Sequence, residues 1–262
     1  MSINIYQFIK TMIRNSFLFV LATCLLFSCG DDFKKSPVDD IIKSLDKEKD
    51  FTIILYDMDA EGSWSTTYKH KYKIITNKQV NDTTFEPQEK LTEWKEVDEN
   101  FFDIHANDMG MEIAAKSDGK VTKQTAPPGY SNYVGNSRYG SWQSGSGGSF
   151  WAFYGQYAFM TNMMGLHAGP VYRSGYTDYR NNYRGTSKTY RGSGSSKYGT
   201  FSSASKKSNP GFHKRTAGNS SFRNRVNSGI SNSASARTAR TRAGSRYSSG
   251  SSRSRSFSGG GK

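Results

Sequence analysis

Two short stretches carry residue types that could do chemistry. Asp57-Met58-Asp59-Ala60-Glu61-Gly62 places acids at alternate positions and a glycine sixth, as the start of an EF-hand calcium loop does. That loop needs a bidentate glutamate at its twelfth position, which here is Tyr68, and helices on both sides, where this chain has β-rich runs. An acidic hairpin turn is the better reading. Asp103, His105 and Asp108 form the only local grouping of acids with an imidazole, and a solvated loop is its default reading. The four histidines, His70, His105, His167 and His213, show no metal-ligand spacing. Catalysis requires a nucleophile beside a base, paired carboxylates or a metal cluster, and no such set is legible, so no catalytic, metal or cofactor-binding residue is assigned and no cofactor is expected.

The elements that would position these residues lie in the first half of the chain. Ser36 reads as an N-cap with Pro37 at the first helical position, acids in the first turn, and Val38, Ile41, Ile42 and Leu45 on one face. Phe51 to Tyr56 is a strand, and Trp64 to Thr76 alternates with Trp64, Thr66, Tyr68, His70, Tyr72 and Ile74 on one face, so the two pair antiparallel across Asp57 to Ser63. Leu91 to Val97 and Met111 to Ala115 predict further strands. The latter turns through Ser117-Asp118-Gly119 into Lys120 to Thr122, because Asp-Gly readily supplies positive φ. The class predicted is α+β: a small acidic domain over 37–126, one N-terminal helix lying on an antiparallel meander.

Charge divides the chain. Gly30 to Tyr130 holds 14 basic and 21 acidic residues, a net of −7, whereas Val171 to Lys262 holds 19 basic residues and one acid, Asp178, a net of +18. Between them, over 127–170, lies a glycine- and aromatic-rich segment whose run Phe150 to Leu166 predicts an apolar helix, packed on the domain or lying at a lipid interface. From Val171 onward aliphatic residues nearly vanish. Such a composition does not offset an ordering entropy of about 1–2 kcal/mol per residue, so 171–262 is predicted to be a disordered basic tail. Its arginines interleaved with Tyr172, Tyr179, Tyr183 and Tyr190 are similar to those of RGG-type nucleic-acid-binding tails, in which cations meet phosphates and rings stack on bases.

The two thiols belong to the N-terminus. Lys10 and Arg14 precede an apolar run of 11 residues, Phe17 to Phe27, too short for a membrane span and of the length of a signal-peptide core. The run ends in Leu26-Phe27-Ser28-Cys29-Gly30, which resembles the lipobox of bacterial lipoproteins. The resemblance implies that 1–28 is a signal peptide cut between Ser28 and Cys29. It also implies that Cys29 takes a thioether-linked diacylglyceryl group, that its new amino group is acylated, and that 29–36 is a tether. Cys24 would leave with the peptide, so lipidation accounts for both cysteines where a lone thiol would be a liability. Gly30, rather than an aspartate, follows the cysteine, which favours the outer membrane over the inner. Asp31 and Asp32 look similar to the surface-export signals of some Bacteroidetes lipoproteins.

These readings lead to a non-enzymatic, lipid-anchored cell-envelope protein. Its basic tail would contact anionic polysaccharide, lipopolysaccharide, anionic lipid or an envelope protein; export argues against nucleic acid. The alternative is an accessory subunit or hydrolase of envelope polymers with a site in the 50–125 region.

Overall fold

The computed structural model describes residues 36–62, 65–79, 85–166, 169–193 and 197–246. Lys35–Lys262 form one compact unit. The predicted signal peptide, Cys29 and most of the tether lie outside the described residues.

The protein is α+β. Helix α1, Pro37–Ser44, starts where the sequence predicts: Ser36 Oγ accepts from the Val38 amide at 3.3 Å, and Val38 and Ile41 are buried. Strands β1 (Phe51–Glu61), β2 (Thr67–Gln79), β3 (Phe85–Leu91) and β4 (Lys95–Val97) are followed by α2 (Glu99–His105), β5 (Glu112–Ser117) and β6 (Lys120–Thr122). All pairings are antiparallel, in the order β3-β2-β1-β5-β6, with β4 also on β2. The Asp-Gly turn forms as predicted: Asp118 and Gly119 have φ of 47° and 78°, and Ser117 faces Lys120.

A bulge at Tyr56, between Leu55 and Asp57, sets which side chains face which core. Phe51, Ile53 and Leu55 face one side of the sheet. The extra residue shifts the phase, so Met58 rejoins that side, opposite His70 in an unbroken Tyr68, His70, Tyr72, Ile74 alternation. The acids read as a hairpin turn therefore lie within a strand: β1 runs to Glu61, and the chain turns at Gly62, whose φ is 124°.

Both faces of the sheet are covered, and the covering comes largely from segments whose sequence predicted otherwise. On one face, α1 and α2 are joined by α6 (Pro210–Gly218) and α7 (Ser220–Arg246), which bury Phe212, Phe222 and Val226 against Phe51, Leu55, Met58 and Phe102. A single helix on a meander was the expectation. Gly229 lets α7 approach α2: a Cβ there would stand 2.7 Å from that of Ala106. The other face carries Ile54, Ile75 and Met111 under an aromatic layer of Tyr130, Tyr133, Tyr139, Trp151, Tyr157, Tyr176, Tyr179, Tyr190 and Tyr198.

The predicted helix over 150–166 is corrected. Phe150–Phe153 is strand β8, paired with β7 (Gly140–Gln143); a 3-10 turn at Gly155–Tyr157 and the single-turn α3 (Met160–Met163) follow. Ser144 to Ser149 supplies a hairpin turn, the aromatic run suits a strand, and Gly155 interrupts any helix. The tail also begins later than composition predicts. Helices α4 (Arg173–Asn182) and α5 (Ser203–Ser208) precede α6 and α7, and buried side chains recur as far along the chain as Val226. Tyrosine replaces the missing aliphatics: Tyr176 and Tyr179 meet Tyr130 edge-on, with ring centroids 5.5 and 5.3 Å apart. Such pairs bury large areas and contribute about 0.5–1.5 kcal/mol beyond them.

Candidate functional site

Helix α2 is N-capped by Asp98, whose Oδ1 accepts from the Phe101 amide at 2.7 Å, and it ends at His105. A turn closed by the Asp108 amide on the His105 carbonyl, at 2.8 Å, brings the two side chains together. His105 Nδ1 donates to Asp108 Oδ2 at 2.8 Å, since a carboxylate only accepts. Thr125 Oγ1 donates to the same oxygen at 3.2 Å, and Arg191 Nη2 donates to Oδ1 at 2.7 Å. Arg191 also reaches the Asn107 carbonyl. Asp108 is wholly buried.

Of the three residues of the predicted grouping, the structure thus joins His105 and Asp108. Asp103 sits on another side of α2, where Arg225 of α7 donates to its Oδ1 at 2.7 Å and to Glu99 Oε1 at 3.1 Å. The calcium-like acids each take a different donor. Asp57 takes Arg215 at 2.6 Å, Asp59 accepts from the Ala60 amide, and Glu61 takes Lys69 at 2.6 Å. Alternate positions of an extended strand share one face, so these carboxylates are neighbours along β1, but each is engaged by a donor of its own. Among the described residues, no group of three or more His, Cys, Asp or Glu side chains could hold a metal ion.

His105 forms part of the wall of a groove of about 620 Å³ between α1, α2, β6 and residues 185–189. Val38, Phe101, Ile104 and Ile113 give it an apolar side, and the paired side chains of Asp39 and Lys123 lie at its rim. Asp108 fixes the imidazole orientation as an acid does in a catalytic dyad. Its other oxygen, however, is compensated by Arg191, which makes the cluster foremost a clamp of the 183–199 segment onto the sheet.

The sequence reading passed over Glu112. Glu112 is fully buried in β5, where its carboxyl accepts from the amides of Gly129 and Ser131 at 3.0 and 3.1 Å and from the Ser131 hydroxyl. Burial pushes its pKa up to about 7 against the opposing pull of these donors. A lone acid inside the apolar run Met111 to Ala115 was the available signal. His70 is fully buried among Tyr72, Phe101 and Phe102, and burial holds its pKa well below the ordinary value.

Compared with protein-family models, curated proteins and solved structures, the chain matches none. What the molecule offers a partner is therefore read from its own surface. Among the described residues, the cations after Val171, apart from Lys197, which donates to the Gly169 and Pro170 carbonyls, fall into two sets. Arg191, Arg215 and Arg225 are consumed by Asp108, Asp57, Glu99 and Asp103, whereas Arg173, Arg180, Lys188, Lys206, Lys214 and Arg223 stand exposed. Ala234 to Lys262 adds seven more cations and no acid. Among the described residues, no helix is long and apolar enough to cross a membrane.

Proposed function

We propose that this chain is a non-enzymatic cell-envelope protein, held to the membrane by acyl groups on Cys29, whose folded body presents a cationic C-terminal arm to anionic polysaccharide, lipopolysaccharide or lipid. The observation that carries the reading is the division of labour among the cations. The acids of the first half take up Arg191, Arg215 and Arg225, which hold the C-terminal half on the sheet, and the charge beyond that need accumulates on the outside and in Ala234 to Lys262. A polycation that releases counterions from a polyanion binds with a log affinity that falls roughly linearly in log salt.

The unit Lys35–Lys262 is expected to bind anionic vesicles or polysaccharide at low salt and to lose that binding as salt rises. Removing 234–262 should weaken it, and shuffling that stretch at fixed composition should not. Binding indifferent to salt and to the removal would overturn the reading. The anchor has its own test: Cys29→Ser should abolish labelling by a fatty-acid probe in cells, and persistent labelling would refute it.

A second reading, an accessory subunit or hydrolase of envelope polymers, is supported by the oriented His105 beside the groove. It requires that His105→Gln abolish a measurable turnover of such a polymer.

A further inference from the structure

Of the tryptophans among the described residues, Trp142 and Trp151 pack in the aromatic layer, whereas Trp94 belongs to neither core and is 37% exposed. Its place is fixed nonetheless. Thr92, two residues earlier, locks the turn between β3 and β4 onto β2: its amide donates to the Tyr72 carbonyl at 2.9 Å, and the Tyr72 amide donates to Thr92 Oγ1 at 3.0 Å. Lys71 Nζ and the Arg215 guanidinium carbon each lie 5.9 Å from the centroid of the Trp94 ring, within the range of a cation–π contact. A large ring held in place and left in solvent is a surface prepared for a ligand rather than a remnant of core packing.

The ring stands beside a ladder of charges. Asp57 faces Lys71 and Asp59 faces Lys69 across β1 and β2, and Glu96 of β4 faces Lys69 from the other side. Alternate positions of β2 share a face, so Lys69, Lys71 and Lys73 continue the face on which Ile75 meets the aromatic layer. That layer reaches Lys73, whose Nζ donates to the Met163 carbonyl at 2.9 Å. Further along, toward Gly62, Lys71, Lys69 and Asp59 are partly exposed and Glu61 is exposed.

Charge selects the occupant. Lys69, Lys71 and Arg215 nearly balance Asp57, Asp59, Glu61 and Glu96, so a polyanion meets carboxylates here and gains little. The core of a protein interface is depleted in Lys, Glu and Asp, the residues that dominate this face. A neutral sugar suits it. Each hydroxyl both donates and accepts, so it serves an ammonium and a carboxylate side by side, while the apolar C–H face of a pyranose ring covers an indole. Exposed ion pairs such as Lys69 with Glu61 contribute little and exchange readily for hydroxyl partners.

We propose that Trp94 is the stacking platform of a neutral-saccharide site on the half of this sheet face nearer Gly62, with Lys71, Arg215 and Asp59 as its hydrogen-bonding rim. The site shares no residue with the groove at His105 or with the C-terminal arm. Its binding differs from that of the arm in kind, being directed at sugar rings and indifferent to salt, and it does not rest on the polyanion reading.

The unit Lys35–Lys262 is to be titrated with neutral trisaccharides of glucose, of mannose and of N-acetylglucosamine, followed by saturation-transfer NMR and by tryptophan fluorescence. At least one is expected to bind with an affinity unchanged between low and high salt, since an uncharged ligand offers nothing to screen. Trp94→Ala should weaken that binding tenfold or more and Trp94→Phe less, because phenylalanine keeps an apolar ring face; both should unfold in urea close to the parent, as Trp94 lies outside the cores. Asp59→Ala, at a partly exposed position, should weaken it severalfold and tests the site independently of the ring. Failure of all three sugars to bind at millimolar concentration overturns the proposal, as does binding that Trp94→Ala and Asp59→Ala leave intact. Binding confined to charged polysaccharide and lost with 234–262 also overturns it, while the arm reading survives. Sugar binding that persists without 234–262, in a protein that shows no salt-sensitive binding of polyanions, sustains the site and refutes the arm. Self-association through Trp94 without sugar binding assigns the face to a second copy of the chain and ends the proposal.

Discussion

The Asp108–Arg191 pair offers the sharpest test of whether the basic second half is truly part of the fold. Asp108 is fully buried and takes three donors, and the Arg191 side chain is 18% exposed and also reaches the Asn107 carbonyl. Removing one partner of a buried ion pair costs about 3–5 kcal/mol because the other charge is left uncompensated. Asp108→Asn keeps the shape but leaves one amide oxygen to serve donors that two carboxylate oxygens served, so a cost of about 3 kcal/mol is expected. Arg191→Met keeps length and removes charge, while Asp108 retains His105 and Thr125, so about 2 kcal/mol is expected. The double variant should cost less than the sum, with a coupling of about 1–2 kcal/mol, because the second change removes a group already orphaned by the first. Urea unfolding followed by tryptophan fluorescence measures all four corners of the cycle. If Arg191→Met changes stability by less than about 0.5 kcal/mol and the two effects add, residues 183–199 are not docked on Asp108 and the clamp does not exist.

Glu112 makes stability fall with rising pH. Its folded pKa is raised from 4.5 to about 7, so its contribution is full below about pH 4.5 and is lost as the pH rises through 7, a change of roughly 3 kcal/mol. His70, with a lowered pKa, works the other way, its contribution being full above pH 6.5 and lost as the pH falls. The difference between parent and Glu112→Gln stability curves isolates the first effect, and parallel curves between pH 4 and 8 would contradict it. Truncation after Pro170 strips Tyr176, Tyr179, Tyr190 and Tyr198 from one core and Phe212 and Phe222 from the other. At about 1.5–3 kcal/mol for each large buried side chain this exceeds a typical total stability, so cooperative unfolding should vanish, whereas truncation after Ser233 should preserve it. Limited trypsin digestion should correspondingly spare Arg191, Arg215 and Arg225, and their rapid cleavage would restore a tail beginning at Val171. Phe212→Ala, at a side chain with no exposed surface in contact with Phe201 and Phe222, should cost about 3–5 kcal/mol by thermal or urea unfolding.

The sequence by itself determined what depends on neighbours along the chain. The Ser36 cap, the proline at the start of α1, the alternation from Tyr68 to Ile74 and the Asp118-Gly119 turn are all local, because capping, period-two burial and positive φ are properties of a few consecutive residues. The α+β class follows from them. The −7 and +18 halves were equally legible, as charge needs only counting. What those charges do was not. Arg191 meets Asp108 across 83 positions and Arg215 meets Asp57 across 158, and no local pattern encodes a partner so distant. The aromatic run at Phe150 suited a helix or a strand; its pairing with Gly140–Gln143 decided the matter.

Only the tertiary structure could decide that a serine-, glycine- and arginine-rich segment folds. Entropy argues against ordering such a chain alone, but a sheet with two open apolar faces supplies a surface on which scattered tyrosines and phenylalanines each find a partner. The same placement separates Asp103 from His105 and Asp108. All three lie in or next to one short helix, yet the side of α2 that each occupies is set by what packs there: α7 with Arg225 on one, β-sheet, Thr125 and Arg191 on the other.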